Sequence, residues 1–171
     1  MVRSKSDISN QALRVFLQDV GKIYDESRKL KHFIPTKSQN KEILDYFGNE
    51  CCYCKKRISI KTMYKDHLIP MNKTSLGLNS WGNVVPCCNK CNTNKHKRDW
   101  REYLSSVSPK SEFSLRKQRI ESFVEHYKYK LDVNNLKEIA NNLYEDIGEV
   151  SQTLIKLRLK QAKHVIDKML K

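Results

Sequence analysis

Apolar residues recur at helical spacing over the first stretch of the chain, at Leu13, Phe16, Leu17, Val20, Ile23 and Tyr24, which predicts a helix there. Ser6 or Asp7 offers a cap at its start, and Pro35 interrupts the pattern after Phe33 and Ile34. A second short helix is expected around residues 41–47, ending at Gly48. The pattern then changes. Between about residues 49 and 103 the apolar runs are short and turn residues frequent (Asn72, Gly77, Asn79 and Gly82 in one loop), which predicts two short strands, a loop and one short helix. From Ser111 onward there is no proline and one glycine, Gly148, and Phe113, Ile120, Phe123, Val124 and Tyr127 trace one helical face. Leu136, Leu143, Val150 and Leu157 then fall seven apart, with Ala140, Ile147 and Leu154 four residues after the first three. That is a heptad seam. Because about three heptads are marginal for a free coiled coil, the preferred reading is a long helix packed on its own monomer. Dimerisation through the seam is the alternative, and Gln161 and His164 weaken it at its far end.

Charge adds a partner class to this picture. Lys and Arg total 33 against 19 Asp and Glu, a formal net charge of +14. Such an excess draws phosphate backbones toward the surface and says nothing about fold. No apolar run approaches the roughly 18 to 20 residues that span a bilayer, and the first ten residues lack the apolar core of a signal peptide. A cytoplasmic protein with no membrane partner is the expectation.

The six cysteines sit in two tight clusters, Cys51, Cys52 and Cys54, then Cys87, Cys88 and Cys91. A secreted disulfide framework spreads its cysteines along the chain, whereas paired C-x2-C clusters in a reducing compartment point to metal. Cys51-x2-Cys54 and Cys88-x2-Cys91 each place two thiolates on one ion, and the two turns together supply the closed tetrahedral site of structural zinc. Cys52-x-Cys54 and Cys87-x3-Cys91 are also conceivable. Choosing C-x2-C gives both knuckles the same geometry and leaves Cys52 and Cys87 as small buried residues. Trp81 and Trp100 flank this region and read as core.

Between the knuckles lie Lys65-Asp66-His67-Leu68-Ile69-Pro70 and a loop ending Gly82-Asn83-Val84-Val85, and the second knuckle runs into Asn92. A C-x2-C, then D-H-x-x-P, then G-N-V-V, then C-x2-C followed by Asn resembles the zinc-knuckled branch of the HNH (ββα-metal) endonucleases, over about 30% of the chain (residues 50–101). The resemblance implies an α+β protein: a small zinc-bound ββα-metal nuclease core over residues 49–104, flanked by mostly helical segments at 1–48 and 105–171. It implies that His67 is the general base, a task suited to a side chain whose ordinary pKa lies near working pH. By the same resemblance Asp66 and Asn92 hold a divalent ion, and Asn83 braces the loop and orients the histidine. Hard oxygen donors favour Mg²⁺ or Mn²⁺. The final position of the motif is asparagine where histidine is common, so the pattern reads H-N-N. His96, four residues after Asn92, is either an additional metal or phosphate contact or a surface side chain in a basic run. Lys55, Lys56 and Arg57 on the first knuckle, with Lys95, Lys97, Arg98 and Arg101 after the second, are the candidates to bracket a DNA duplex by its backbone.

The expected activity is metal-dependent hydrolysis of phosphodiester bonds in double-stranded DNA. Restriction, a subunit of a phage-defence system and a nicking or mobility enzyme are the open biological roles. The flanking helices then carry specificity, homodimerisation or docking to a defence-system partner. The competing reading is a non-catalytic zinc module that binds DNA or RNA; it shares the charge and the knuckles but gives no reason for Asp66, His67 and Asn92 to occur together.

Overall fold

The computed structural model describes residues 5–169 of the chain. Its elements run α1 (Lys5–Ser27), α2 (Lys37–Tyr46), β1 (Tyr64–His67), β2 (Val84–Cys87), α3 (Asn89–Lys95), α4 (Trp100–Val107), α5 (Lys110–His126) and α6 (Asn134–Met169). The mixed α+β reading stands: six helices surround one two-stranded sheet among the described residues.

Boundaries differ from the sequence reading for local reasons. The backbone is already helical at Lys5, ahead of the caps expected at Ser6 and Asp7. α2 starts at Lys37 rather than near Lys41, because the Thr36 side chain caps it by accepting from the Gln39 backbone N–H at 3.2 Å. The region after the second knuckle holds two helices rather than one. The second, α4, is capped by Asp99, whose carboxylate accepts from the N–H groups of Arg101 and Glu102 at 2.8 and 3.2 Å.

β1 and β2 pair antiparallel with Tyr64 opposite Cys87, Asp66 opposite Val85 and His67 opposite Val84. Successive side chains on a strand point to opposite faces, so neighbours Asp66 and His67 serve different surroundings. Asp66 is buried and His67 half-buried. β2 is buried throughout.

One large core draws on all three stretches of the chain. Phe33, Ile43 and Phe47 meet Tyr53, Leu68, Trp81 and Trp100 from the centre, and Ile120, Phe123 and Tyr127 from α5. Trp81 stacks on Tyr127 with ring centroids 4.8 Å apart, so both tryptophans are core residues as expected. A second cluster joins Leu13 and Leu17 of α1 to Leu76, Leu78, Tyr129 and Ala140. Ile23, placed on the apolar stripe of α1 by its spacing, is exposed.

The first half of α6 packs along α1, which agrees with the monomer-packed reading of the heptads for that half; the second half leaves α1 behind. Among the described residues, no helix is long and apolar enough to cross a membrane.

Candidate functional site

The two knuckles are built differently. In the first, Lys55 takes a left-handed backbone (φ 61°) and donates its N–H to the Cys51 carbonyl at 3.0 Å, while the Cys51 N–H reaches back to Lys56 at 2.8 Å. This tight turn brings Cys51 and Cys54 together. In the second, Cys88 is the N-cap of α3 and Cys91 lies in its first turn, three residues on and therefore on the same face. A hydrogen bond from the Cys52 N–H to the Pro86 carbonyl (3.0 Å) ties the first knuckle to β2.

The four sulfur atoms of Cys51, Cys54, Cys88 and Cys91 lie within 4.8 Å of one another, with Cys54 and Cys88 3.7 Å apart. A tetrahedral Zn²⁺ with Zn–S of about 2.3 Å requires sulfurs about 3.8 Å apart, so the group fits one zinc ion. Cys52 and Cys87 are buried outside this cluster, as the sequence reading had them.

His67 faces a polar contact that the sequence did not announce. Its Nε2 lies 3.3 Å from Oδ1 of Asn79, and the Asn79 amide nitrogen donates to the Phe33 carbonyl at 3.2 Å. With the amide oxygen turned to the ring, Nε2 is the nitrogen that carries the proton, which leaves the lone pair on Nδ1. Burial pushes the His67 pKa down to about 4, the positive charges of Lys95, Arg14 and Lys65 add to that, and the Asn79 contact opposes it. The ring is therefore neutral at physiological pH and able to accept a proton.

Asn83 braces the loop. Its side-chain Oδ1 accepts from the Ile69 N–H at 2.8 Å, and its side-chain Nδ2 donates to the carbonyls of Ile69 and Leu78 at 3.0 and 2.8 Å. The residue that touches the histidine is Asn79, four positions earlier. Nothing in a lone loop asparagine signals that contact, since its partners lie 12 and 46 residues away.

Asp66 is engaged on both oxygens. The Tyr53 hydroxyl donates at 2.6 Å, and the Lys95 ammonium sits 3.0 Å from Oδ2 and 3.3 Å from Oδ1. Burial raises the Asp66 pKa, while Lys95 and Tyr53 pull it back toward the charged form. Lys95 also donates to the His67 carbonyl at 2.8 Å. This corrects the expectation that Lys95 meets DNA phosphates: its side chain is wholly buried. α3 packs on β1, and residue 95, three after Asn92, falls on the inner side of that short helix.

Lys55, Lys56, Arg57, Lys97 and Arg101 are exposed, as a backbone-contacting surface requires. Arg98 is half-buried over the Tyr103 ring, and Arg101 lies over Trp100. Asn92 is half-buried on α3 with its side-chain oxygen 3.9 Å from the Cys87 sulfur. His96 is not on the helical face expected for it: α3 ends at Lys95, and His96 is exposed with φ 50°.

A second buried network anchors the loop that bears Asn79. Asp25, near the end of α1, accepts from the Ser80 hydroxyl (2.6 Å), the Phe33 N–H (2.9 Å) and Arg28 (2.6 Å). Arg28 in turn donates to the Trp81 and Tyr127 carbonyls. The loop is thereby fixed to α1 and to the irregular segment that follows it.

A hairpin presenting Asp66 and His67, a short helix packed on it and a four-cysteine cluster together form one small ββα unit. Residues 51–103 match the family profile described as HNH endonuclease. The chain is also 31% identical, over 110 residues, to "SPbeta prophage-derived putative HNH endonuclease YoqL" of Bacillus subtilis (strain 168); the alignment takes in 57% of this chain and 44% of that relative. The chain thus spans less than half the length of the curated relative it matches.

Proposed function

We propose that this protein is a metal-dependent endonuclease that hydrolyses phosphodiester bonds in double-stranded DNA, in a restriction or phage-defence setting. The observation that carries the reading is the geometry at His67: Nε2 lies 3.3 Å from Oδ1 of Asn79, which leaves Nδ1 to act as the base. In this mechanism Nδ1 of His67 takes a proton from the attacking water, and Asn83 keeps the hairpin loop closed behind it.

Asp66 and Asn92 are the residues that would hold the catalytic ion. A carboxylate and a side-chain amide are hard oxygen donors, and two protein ligands suit Mg²⁺ or Mn²⁺ with most of its waters retained. Asp66 would share its carboxylate between that ion and Lys95. When bound, the ion supplies a Lewis acid that polarises the phosphate and stabilises the leaving oxygen. The exposed cations Lys55, Lys56, Arg57, Lys97 and Arg101 supply sequence-independent attraction to the duplex, in keeping with a net charge of +14. The zinc cluster is structural in this reading, because four thiolates leave no open position for substrate.

The test is cleavage of supercoiled plasmid with Mg²⁺ or Mn²⁺ by wild type and His67→Ala, with DNA binding and zinc content measured on the same samples. Metal-dependent cutting that disappears in the variant while binding and zinc persist is the expected result. Binding without cutting by wild type, across several DNAs and both ions, would reassign the chain to a non-catalytic zinc module.

A further inference from the structure

α6 is 36 residues long, about 54 Å, whereas α1, packed along its first half, is 23 residues and about 34 Å. Tyr24 near the end of α1 meets Tyr129 just before α6, so the two helices run in opposite directions and α6 continues past the start of α1. Beyond that point the heptad positions lose their cover. Ala140 is fully buried, and Leu136, Leu143 and Ile147 are half-buried. Val150, Leu154 and Leu157 are 56%, 52% and 49% exposed, and Ile139, beside the same stripe, is 55% exposed. Val150, Leu154 and Leu157, three successive a and d positions ahead of the polar Gln161 and His164, leave an apolar strip that needs an occupant.

Charge along α6 identifies that occupant. Glu138, Glu145, Asp146 and Glu149 fall in its first half, and Lys156, Arg158, Lys160 and Lys163 follow with no carboxylate between Glu149 and Asp167. The helix is thus acidic first and basic second, divided near Val150. We infer that α6 pairs antiparallel with α6 of a second copy of this chain, about a two-fold axis near the Val150–Leu154 layer.

Antiparallel seams set a against d across the interface. Val150 then faces Leu154 of the partner subunit, and Ile147 faces Leu157 of the partner subunit. The flanking positions bring Asp146 opposite Lys160 of the partner subunit, twice by symmetry. Glu145, which holds Lys73 at 2.7 Å within its own chain, lends the same acidic field. A parallel pair would instead set Lys156, Lys160 and Lys163 beside their own copies and gain no such pairing. The polar Gln161 faces Leu143 near the outer end of the antiparallel seam, where a polar side chain stays solvated.

The experiment is the mass of the full zinc-loaded chain by light scattering and sedimentation across the micromolar range. A species of twice 20.2 kDa is expected. Leu154→Glu should yield a monomer with zinc content and helical signal kept. Asp146→Lys and Lys160→Glu should each weaken the dimer roughly tenfold, since the contact occurs twice, and the two combined in one chain should restore it. Restoration is the outcome that antiparallel pairing requires and a merely structural role for either residue would not produce. A wild-type monomer throughout the range overturns the inference, including one that binds anionic vesicles through residues 156–163. A dimer indifferent to Leu154→Glu and to both swaps overturns it as well.

Discussion

Asn79 holds the ring of His67: its amide oxygen lies 3.3 Å from Nε2, and its amide nitrogen is itself fixed by the Phe33 carbonyl at 3.2 Å. The pair ties the histidine's tautomer to the loop that joins β1 and β2 and to the segment after α1, which lies outside the hairpin. Removing the acceptor frees the ring to rotate and to exchange tautomers. In Asn79→Ala, kcat should fall on the order of 10- to 100-fold, the usual cost of losing a partner that orients a reactive ligand. KM, zinc content and DNA affinity should stay near wild type. Asn79→Asp keeps an acceptor at the same place and should recover much of the loss. Steady-state kinetics on a fluorescent duplex would check both, and an unchanged kcat in the alanine variant would remove Asn79 from the mechanism.

Lys95 and Asp66 form a buried ion pair at 3.0 Å, so each leaves an uncompensated charge when the other is removed. Lys95→Met is expected to destabilise the fold by about 3 kcal/mol, the lower end for breaking one side of a buried pair. For a chain of this size that corresponds to a fall of roughly 6–12 °C in Tm. Lys97→Met, two residues on and exposed, should leave Tm nearly unchanged and instead lower the salt dependence of DNA binding by about one counterion. Thermal melts paired with a salt titration of binding separate the two. If Lys95→Met behaved like Lys97→Met, the burial of the ammonium would be wrong.

The four-cysteine cluster gives a prediction that discriminates among six cysteines. Serine at Cys51, Cys54, Cys88 or Cys91 removes one of four sulfurs placed around a single point and should abolish stoichiometric zinc. Alanine at Cys52 or Cys87 removes a buried thiol outside the cluster and should keep one zinc per chain, at a packing cost of about 1 kcal/mol. Metal analysis of the purified variants reads this directly. Loss of zinc in Cys52→Ala would move the first knuckle to a different pair.

How much of this was legible in the sequence follows from the range of each interaction. The knuckles, Asp66-His67 and the Gly82-Asn83 loop depend on contacts between near neighbours or on fixed spacings, so their residue types display them. The Asn79–His67 contact, the Asp25–Arg28–Ser80 network and the Tyr53 hydroxyl on Asp66 join positions that only the fold brings together, and each such residue alone looks like an ordinary loop or helix residue. Lys95 was misread for a related reason. Lys95-His96-Lys97-Arg98 looks like one basic surface, but α3 ends within it, which turns Lys95 inward and His96 and Lys97 out, with Arg98 half-buried on Tyr103. The heptads of α6 were plain, yet their exposure depends on where α1 starts, which the pattern of α6 does not contain.

Gly21 shows how the helical segment before the core reaches the histidine. It sits inside α1, where alanine would ordinarily favour the helix by about 1 kcal/mol. Here a Cβ at that position would lie 2.5 Å from the carbonyl oxygen of Asn79, 3.0 Å from its carbonyl carbon and 3.3 Å from its nitrogen. The neighbour is backbone, so relief requires α1 or the loop to move. Either movement shifts the residue whose side chain holds His67. Gly21→Ala should therefore lose stability, by about 1–3 kcal/mol for overpacking less the propensity gain, and should also lower kcat, although residue 21 touches neither His67 nor DNA in the proposed mechanism. Zinc content should be unchanged, since the atoms that meet the added Cβ are those of Asn79 and none belongs to either knuckle. Combining Gly21→Ala with Asn79→Ala tests the route: if α1 acts on the base through Asn79, the double variant should be little slower than Asn79→Ala alone, whereas independent routes would make the two losses multiply.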